Sequence, residues 1–88
     1  IKTMGSSLGG EIPDNALVLV DRAQKSIVAG SPYCIRIKGE IRIKRLEQDK
    51  ETVLAYNNKG GQLDAEELSP GEDWEVIGRC VWYSKALN

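Results

Sequence analysis

Apolar residues recur at every second position through most of the chain, and no segment sustains a helical repeat. Alternation of period two puts successive side chains on opposite faces of an extended strand. Residues 33–38, 41–46, 52–56 and 74–83 therefore read as half-buried strands. Residues 16–21, Ala-Leu-Val-Leu-Val-Asp, form a continuous apolar run instead. They read as a strand covered on both faces. Turn-forming clusters separate these segments at Pro13-Asp14-Asn15, Asn57-Asn58-Lys59-Gly60-Gly61 and Ser69-Pro70-Gly71. Residues 62–68 have room for one helical turn. Residues 22–29 have a helix-compatible composition but are too short to compete. The fold class expected is all-β and mainly antiparallel, in one domain.

Registers follow from parity. A two-residue Gly39-Glu40 loop between residues 33–38 and 41–46 would set Ile37 opposite Arg42 and mix core with solvent. A three-residue loop, Lys38 to Glu40, sets Ile37 opposite Ile41 and Ile35 opposite Ile43, and is the preferred reading. It also brings Arg36 and Arg42 face to face on the side of Lys44. In the last strand Trp74, Val76, Cys80 and Trp82 share a parity, with Gly78 as the expected bulge. Val81 and Tyr83 occupy the other parity, so that strand offers large apolar groups on both faces. One face serves the core. The other either packs a second core or meets a partner.

Composition limits the chemistry. The 88 residues contain no histidine, which excludes a Ser-His-Asp triad, a Cys-His dyad and histidine-ligated zinc within this chain. Two cysteines cannot supply a four-thiolate metal site, and nothing else resembles a disulfide scaffold, so Cys34 and Cys80 are expected as buried thiols. Twelve basic against 13 acidic residues argue against a nucleic-acid or anionic-lipid grip in this segment. No run approaches the length of a membrane span, and no signal-peptide pattern opens the chain. A cytoplasmic location, no cofactor and no membrane partner are expected.

Gly5-Ser6-Ser7-Leu8-Gly9 matches the letters of a nucleophile elbow but lacks the long helix and later histidine which that motif needs. A phosphate-binding loop is excluded too, because no Lys-Ser/Thr ending follows. The plain alternative is a flexible glycine-serine turn. A serine acts as nucleophile without histidine when a neutral lysine takes its proton. Lys2, Lys25, Lys38, Lys50, Lys59 and Lys85 sit in polar, loop or terminal segments where water keeps them charged. Lys44 lies within a strand between Ile43 and Leu46, beside Arg45. The alternative is an ordinary lysine on the polar face of a sheet.

Three ordered blocks decide between these readings. Met4 to Ile12, followed by Pro13-Asp14-Asn15-Ala16 and Leu17-Val18-Leu19-Val20-Asp21, resembles the Gly-Asp/Asn-Ser-Met-x-Pro-Thr-Ile, Asp-Gly-Asp and Leu-Val-Leu-Val-Asp run of the LexA and phage-repressor family of self-cleaving serine peptidases. Ile43-Lys44-Arg45-Leu46 resembles that family's Val-Lys-Arg-Leu. Val76-Ile77-Gly78-Arg79-Cys80-Val81-Trp82 resembles its closing Ile-Ile-Gly-Arg-Val-Val-Trp. The resemblance implies a C-terminal self-cleavage and dimerisation domain over residues 1–88, built of β ribbons like those of signal peptidase. It implies Ser7 as nucleophile and Lys44 as general base, acting on a scissile Ala-Gly or Cys-Gly bond in an upstream connecting segment. It also implies a homodimer or higher homo-oligomer, cleavage promoted by the RecA filament, and operator DNA bound only through an N-terminal helix-turn-helix domain.

The chain begins at Ile1 and is read as a piece of such a repressor, without that domain or the cleavage segment. Ala29-Gly30 lies after the serine and reads as a turn, not a scissile pair. Leu8 replaces the family's methionine, Gly10 its proline, and Asn15-Ala16 part of its Asp-Gly-Asp turn, where asparagine still accepts positive φ. These departures keep open an oligomerisation module that has lost cleavage and answers to an antirepressor protein. A trans-acting peptidase related to signal peptidase is disfavoured, because those enzymes need a membrane anchor.

Overall fold

The structure, a computed structural model, describes residues 1, 3, 8–13, 15–58 and 61–84. Six strands form one antiparallel sheet: β1 (Val18–Asp21), β2 (Pro32–Ile37), β3 (Glu40–Asp49), β4 (Thr52–Tyr56), β5 (Glu66–Leu68) and β6 (Trp74–Tyr83). Their spatial order is β1-β6-β2-β3-β4-β5, so the last strand inserts between the first two. Short 3-10 turns cover Leu8–Gly10 and Gln62–Asp64. The all-β reading holds, and the second 3-10 turn falls where room for a helical turn was expected. Residues 22–29 form turns and no helix.

The sheet carries a hydrophobic cluster on each face. One gathers Leu8, Ile12, Ala16, Val18, Cys34, Ile43 and Cys80. The other gathers Tyr33, Ile35, Ile37, Leu46, Val53, Ala55 and Leu68. Alternation along β2 and β3 produces this division, since neighbouring residues face opposite ways. Buried Tyr33 keeps its hydroxyl satisfied: Oη donates to the Ser26 carbonyl at 2.8 Å and accepts from the Val28 amide at 2.7 Å. Those bonds fasten the 22–31 connection over the second cluster, where Ile27 packs.

The β2–β3 hairpin corrects the expected register. Its loop is Lys38-Gly39, with φ of 49° and 81°, and Ile37 pairs with Glu40, Cys34 with Ile43 and Tyr33 with Lys44. Two positive φ values make the tight turn whose twist suits adjoining strands. Neither loop considered from parity is formed, because a mainly one-faced core was assumed. With a core on each face, β2 and β3 have no polar side to align. Arg36 consequently faces Ile41 and pairs with Asp73 and Glu75 at 3.0 and 2.9 Å, while Arg42 faces Ile35 and pairs with Glu40. The two arginines do not meet.

The β6 strand changes parity twice. Cys34 pairs with Gly78 and Ile35 with Val76, leaving Ile77 without a partner on β2. Leu19 pairs with Trp82 and Val20 with Cys80, leaving Val81 without one on β1. The first bulge is thus one residue from the expected Gly78, and the second was not expected. The β1 strand is covered on one face only: Ala16 and Val18 are buried, whereas Leu17 and Leu19 are about half exposed. On its outer edge the Ile1 amine donates to Val18 O, and the Val18 amide returns the bond to Ile1 O at 2.6 Å. Short β5, on the far edge, was missed because Glu-Glu-Leu lacks strand propensity.

Candidate functional site

Lys44 is half-buried on β3, and Lys25, Lys38 and Lys50 are exposed. Lys2, Lys59 and Lys85 lie outside the described residues. Strand pairing explains the difference: Lys44 stands opposite buried Tyr33, two residues from buried Leu46. Its Nζ reaches past the end of β4 to donate to Asn57 Oδ1 at 3.0 Å. A cleft of about 170 Å³ opens there, lined by Lys44, Ala55, Asn57, Asn58, Asp64 and Glu66 among others. A cation with a carboxamide acceptor and two nearby carboxylates is the chemistry this cleft offers.

Ser7, the expected nucleophile, lies outside the described residues, as do Gly5 and Ser6. The stretch that follows it is described. Leu8 is buried against Cys34 and Ile43 in the first cluster, in the position where the family carries methionine. Gly9 adopts φ of 65°, the left-handed region that favours glycine, and a Cβ there would meet the carboxamide of exposed Asn58, which would have to swing aside. Gly10 has φ of 94°, which a proline ring excludes. Replacement of the family's proline therefore changes the backbone path and is not a neutral exchange. Asn15 holds φ of 62°, the left-handed conformation its amide side chain was expected to permit.

Glu11 and Arg45 join this stretch to β3. Arg45 Nη2 lies 2.6 Å from Glu11 Oε2, and Nη1 donates to the Gly30 carbonyl at 2.8 Å. The Arg45 side chain is 7% exposed, Glu11 45%. Arg45 Nε is buried without a partner. Gly30, with φ of 81°, sits in the turn read from Ala29-Gly30, and its amide donates to Leu46 O. Sequence reasoning noticed Arg45 only as a neighbour of Lys44. The available signal was parity: Arg45 shares the face of Ile43, and a guanidinium at an apolar position needs a carboxylate partner.

Both cysteines are free and buried, as expected. Burial pushes the Cys34 thiol up, and burial together with the neighbouring Cys34 pushes Cys80 up to about 12. A thiol that resists ionisation is a poor nucleophile, so neither belongs to the chemistry. Among the described residues no group of His, Cys, Asp or Glu is placed to hold a metal ion. No described helix is long and apolar enough to cross a membrane.

Comparison with known proteins bears on the same residues. Residues 1–81 match the family described as Peptidase S24-like. Over 80 residues, 91% of this chain, the sequence is 34% identical to the Repressor protein CI of Enterobacteria phage phi80. The chain spans about a third of that protein's length, 34%. The family match contains all three blocks that carried the resemblance except Trp82, the last residue of the third, and the antiparallel sheet agrees with it. The chain belongs to the Peptidase S24-like family, the serine-peptidase family of LexA and phage-repressor C-terminal domains.

Proposed function

We propose that this chain is the C-terminal domain of a phage- or prophage-type transcriptional repressor, which pairs repressor subunits and cleaves its own connecting segment. The observation that carries the reading is the family match over residues 1–81, with Lys44 on β3 as the half-buried lysine among the described residues. Ser7 is the proposed nucleophile and Lys44 the base. Neutral Lys44 takes the Ser7 hydroxyl proton as Oγ bonds to the scissile carbonyl carbon, and backbone N–H groups receive the oxyanion. The C–N bond then breaks, and protonated Lys44 returns its proton to the leaving amine. Water hydrolyses the acyl ester by the same route and frees Ser7.

In the intact repressor the RecA filament on single-stranded DNA promotes this step, and operator DNA is held by an upstream helix-turn-helix domain. The test joins the chain to its upstream segment and follows full-length protein at alkaline pH, the condition that favours a neutral amine base. Wild type is expected to shorten, with Ser7→Ala and Lys44→Ala intact. Equal loss in all three refutes the dyad. Addition of RecA filament is expected to bring the wild-type reaction to neutral pH.

A second reading is an oligomerisation module without cleavage, kept open by the departures at Gly10 and Ala16, and both readings draw on one surface for self-association. Leu17, Leu19, Val81 and Trp82 are each about half exposed where β1 and β6 pair. Contiguous apolar side chains of this kind suit a second copy of the chain. Cleavage of the intact repressor separates the two readings, and sedimentation tests the self-association they share: wild type is expected to dimerise and Leu19→Ser/Trp82→Ser to remain monomeric, whether or not Ser7 cleaves. A monomeric wild type at high micromolar concentration refutes self-association.

A further inference from the structure

We propose that the Arg45–Glu11 ion pair is a positioning device, which fixes the stretch following Ser7 onto the strand that carries Lys44. The inference rests on the Ser7–Lys44 reading above. Lys44 has two neighbours on β3, and both hold that stretch. Ile43 packs with Leu8, the residue after Ser7, in the first cluster. Arg45 holds Glu11, four residues after Ser7, at 2.6 Å. Because alternate residues face opposite ways, Ile43 and Arg45 share one face of β3 while Lys44 projects from the other.

The two paths meet at the end of β4. Lys44 Nζ bonds Asn57, and Gly9 lies against the side chain of Asn58. One short turn thus touches both the lysine and the stretch beyond the serine.

Stability alone is a poor reason for an arginine here. Its side chain is 7% exposed, and its Nε is buried without a partner. Burying the guanidinium costs free energy that a carboxylate 45% exposed to water repays only in part, so the pair's geometry is the stronger account of its presence. The two terminal nitrogens divide between Gly30 O and Glu11 Oε2, which fixes the direction of the guanidinium and, with it, the distance of Glu11 from β3. Catalytic rates respond steeply to such placement, with ~1 Å of displacement costing as much as a hundredfold.

A fluorophosphonate probe tests the pair on this chain without the scissile segment. Ser7 Oγ bonds phosphorus, fluoride leaves, and the hydroxyl proton passes to Lys44. Adduct formation at Ser7 is followed by mass spectrometry from pH 6 to 10, with rates expressed per folded molecule by circular dichroism. Glu11→Gln is expected to lower the alkaline plateau at least about tenfold while leaving the midpoint of the pH profile in place, and Glu11→Asp to recover part of the loss. Arg45→Lys, which keeps the charge but not both bonds, gives the same readout should Glu11→Gln fail to fold. Val53→Ala, a destabilising change in the other cluster, is expected to keep the wild-type plateau. A wild-type plateau in Glu11→Gln, with Ser7→Ala and Lys44→Met unlabelled, overturns the positioning role and leaves the dyad standing. An equal loss in Val53→Ala overturns it too, since the pair then acts through stability alone. Labelling of Lys44→Met at the wild-type rate removes the dyad and this inference with it.

Discussion

Gly78→Ala is a sharp test of the sheet's construction, because only space opposes it. Gly78 does not have a positive φ, so alanine suits its backbone conformation. A methyl group there would overlap the Asp21 carbonyl oxygen and lie 2.8 Å from Val20 Cγ1 and 2.9 Å from Arg22 Cα. Ordinary contacts of a Cβ begin near 3.4 Å, so Arg22 Cα must retreat by about 0.5 Å. Two of the three obstacles are backbone atoms, which cannot swing aside as a side chain can. Asp21 O also accepts from the Gln24 amide at 3.2 Å, and the Asp21 carboxylate accepts from the Ala23 amide at 3.0 Å. Relief therefore requires the end of β1 to peel from β6. Overpacking costs about 1–3 kcal/mol in general, and rigid neighbours place this case at about 2–3 kcal/mol. For a domain of this size that lowers Tm by roughly 8–24 °C. Urea and thermal unfolding should be followed by circular dichroism at one protein concentration, since self-association shifts the midpoint. Gly71→Ala is the matched control: φ of 85° strains alanine by about 1 kcal/mol, but nothing lies within 4 Å of its Cβ. A cost for Gly78→Ala below that of Gly71→Ala refutes the close approach of β1 and β6.

Other perturbations separate further parts of the structure. Lys38→Asn should stabilise the chain by about 0.5 kcal/mol in urea unfolding, because asparagine tolerates the positive φ of the hairpin turn better than lysine. Leu46→Ala should cost about 3 kcal/mol, since Leu46 is fully buried, and Leu63→Ala almost nothing, since Leu63 is 99% exposed. Stability should fall as pH rises above about 9, where the unfolded chain loses thiol protons that folded Cys34 and Cys80 retain. The sign follows from proton binding: above that pH the native state holds more protons, so each further unit costs about 1.4 kcal/mol per thiol until the folded thiol ionises, for Cys80 at about 12. Cys80→Ala should remove its share of that slope, and an unchanged slope would show that the thiol is not desolvated.

The strands were legible because alternation reports one local property, which residues face the same way. Residues 52–56 and 74–83 appear as β4 and β6 with the bounds the pattern implies. Relations between strands were less legible. Parity arguments on the hairpin assumed that Arg36, Arg42 and Lys44 mark a solvent face, but each face of β2 and β3 contributes to a core. Polar residues then appear on both sides, and the tight Lys38-Gly39 turn decides the register. The two bulges in β6 have a similar origin. That strand must match β2 at Cys34–Gly78 and β1 at Val20–Cys80, and a strict period cannot meet both neighbours. Nothing within residues 74–83 records the demand, because it arises from strands far away in the chain.

Residues proposed to carry chemistry and residues proposed to place it differ, for a related reason, in how far the sequence marks them. Strand position marked Lys44 as the lysine least like its fellows, but the roles of Ser7 and Lys44 came from the resemblance of their surrounding blocks to the LexA and phage-repressor family. Glu11 and Arg45 carry no such mark. Each is an ordinary charged residue, and their meeting depends on a turn at Gly9-Gly10 and on which face of β3 receives it. Arg45 nevertheless breaks the local rule that its parity reserves for apolar side chains. A charge at a core position is costly unless its partner is near, so it predicts that some distant carboxylate must be brought to it. Here the carboxylate comes from the stretch behind the proposed nucleophile, and that coincidence of a broken rule with a functional segment makes Arg45 more informative than the lysine beside it.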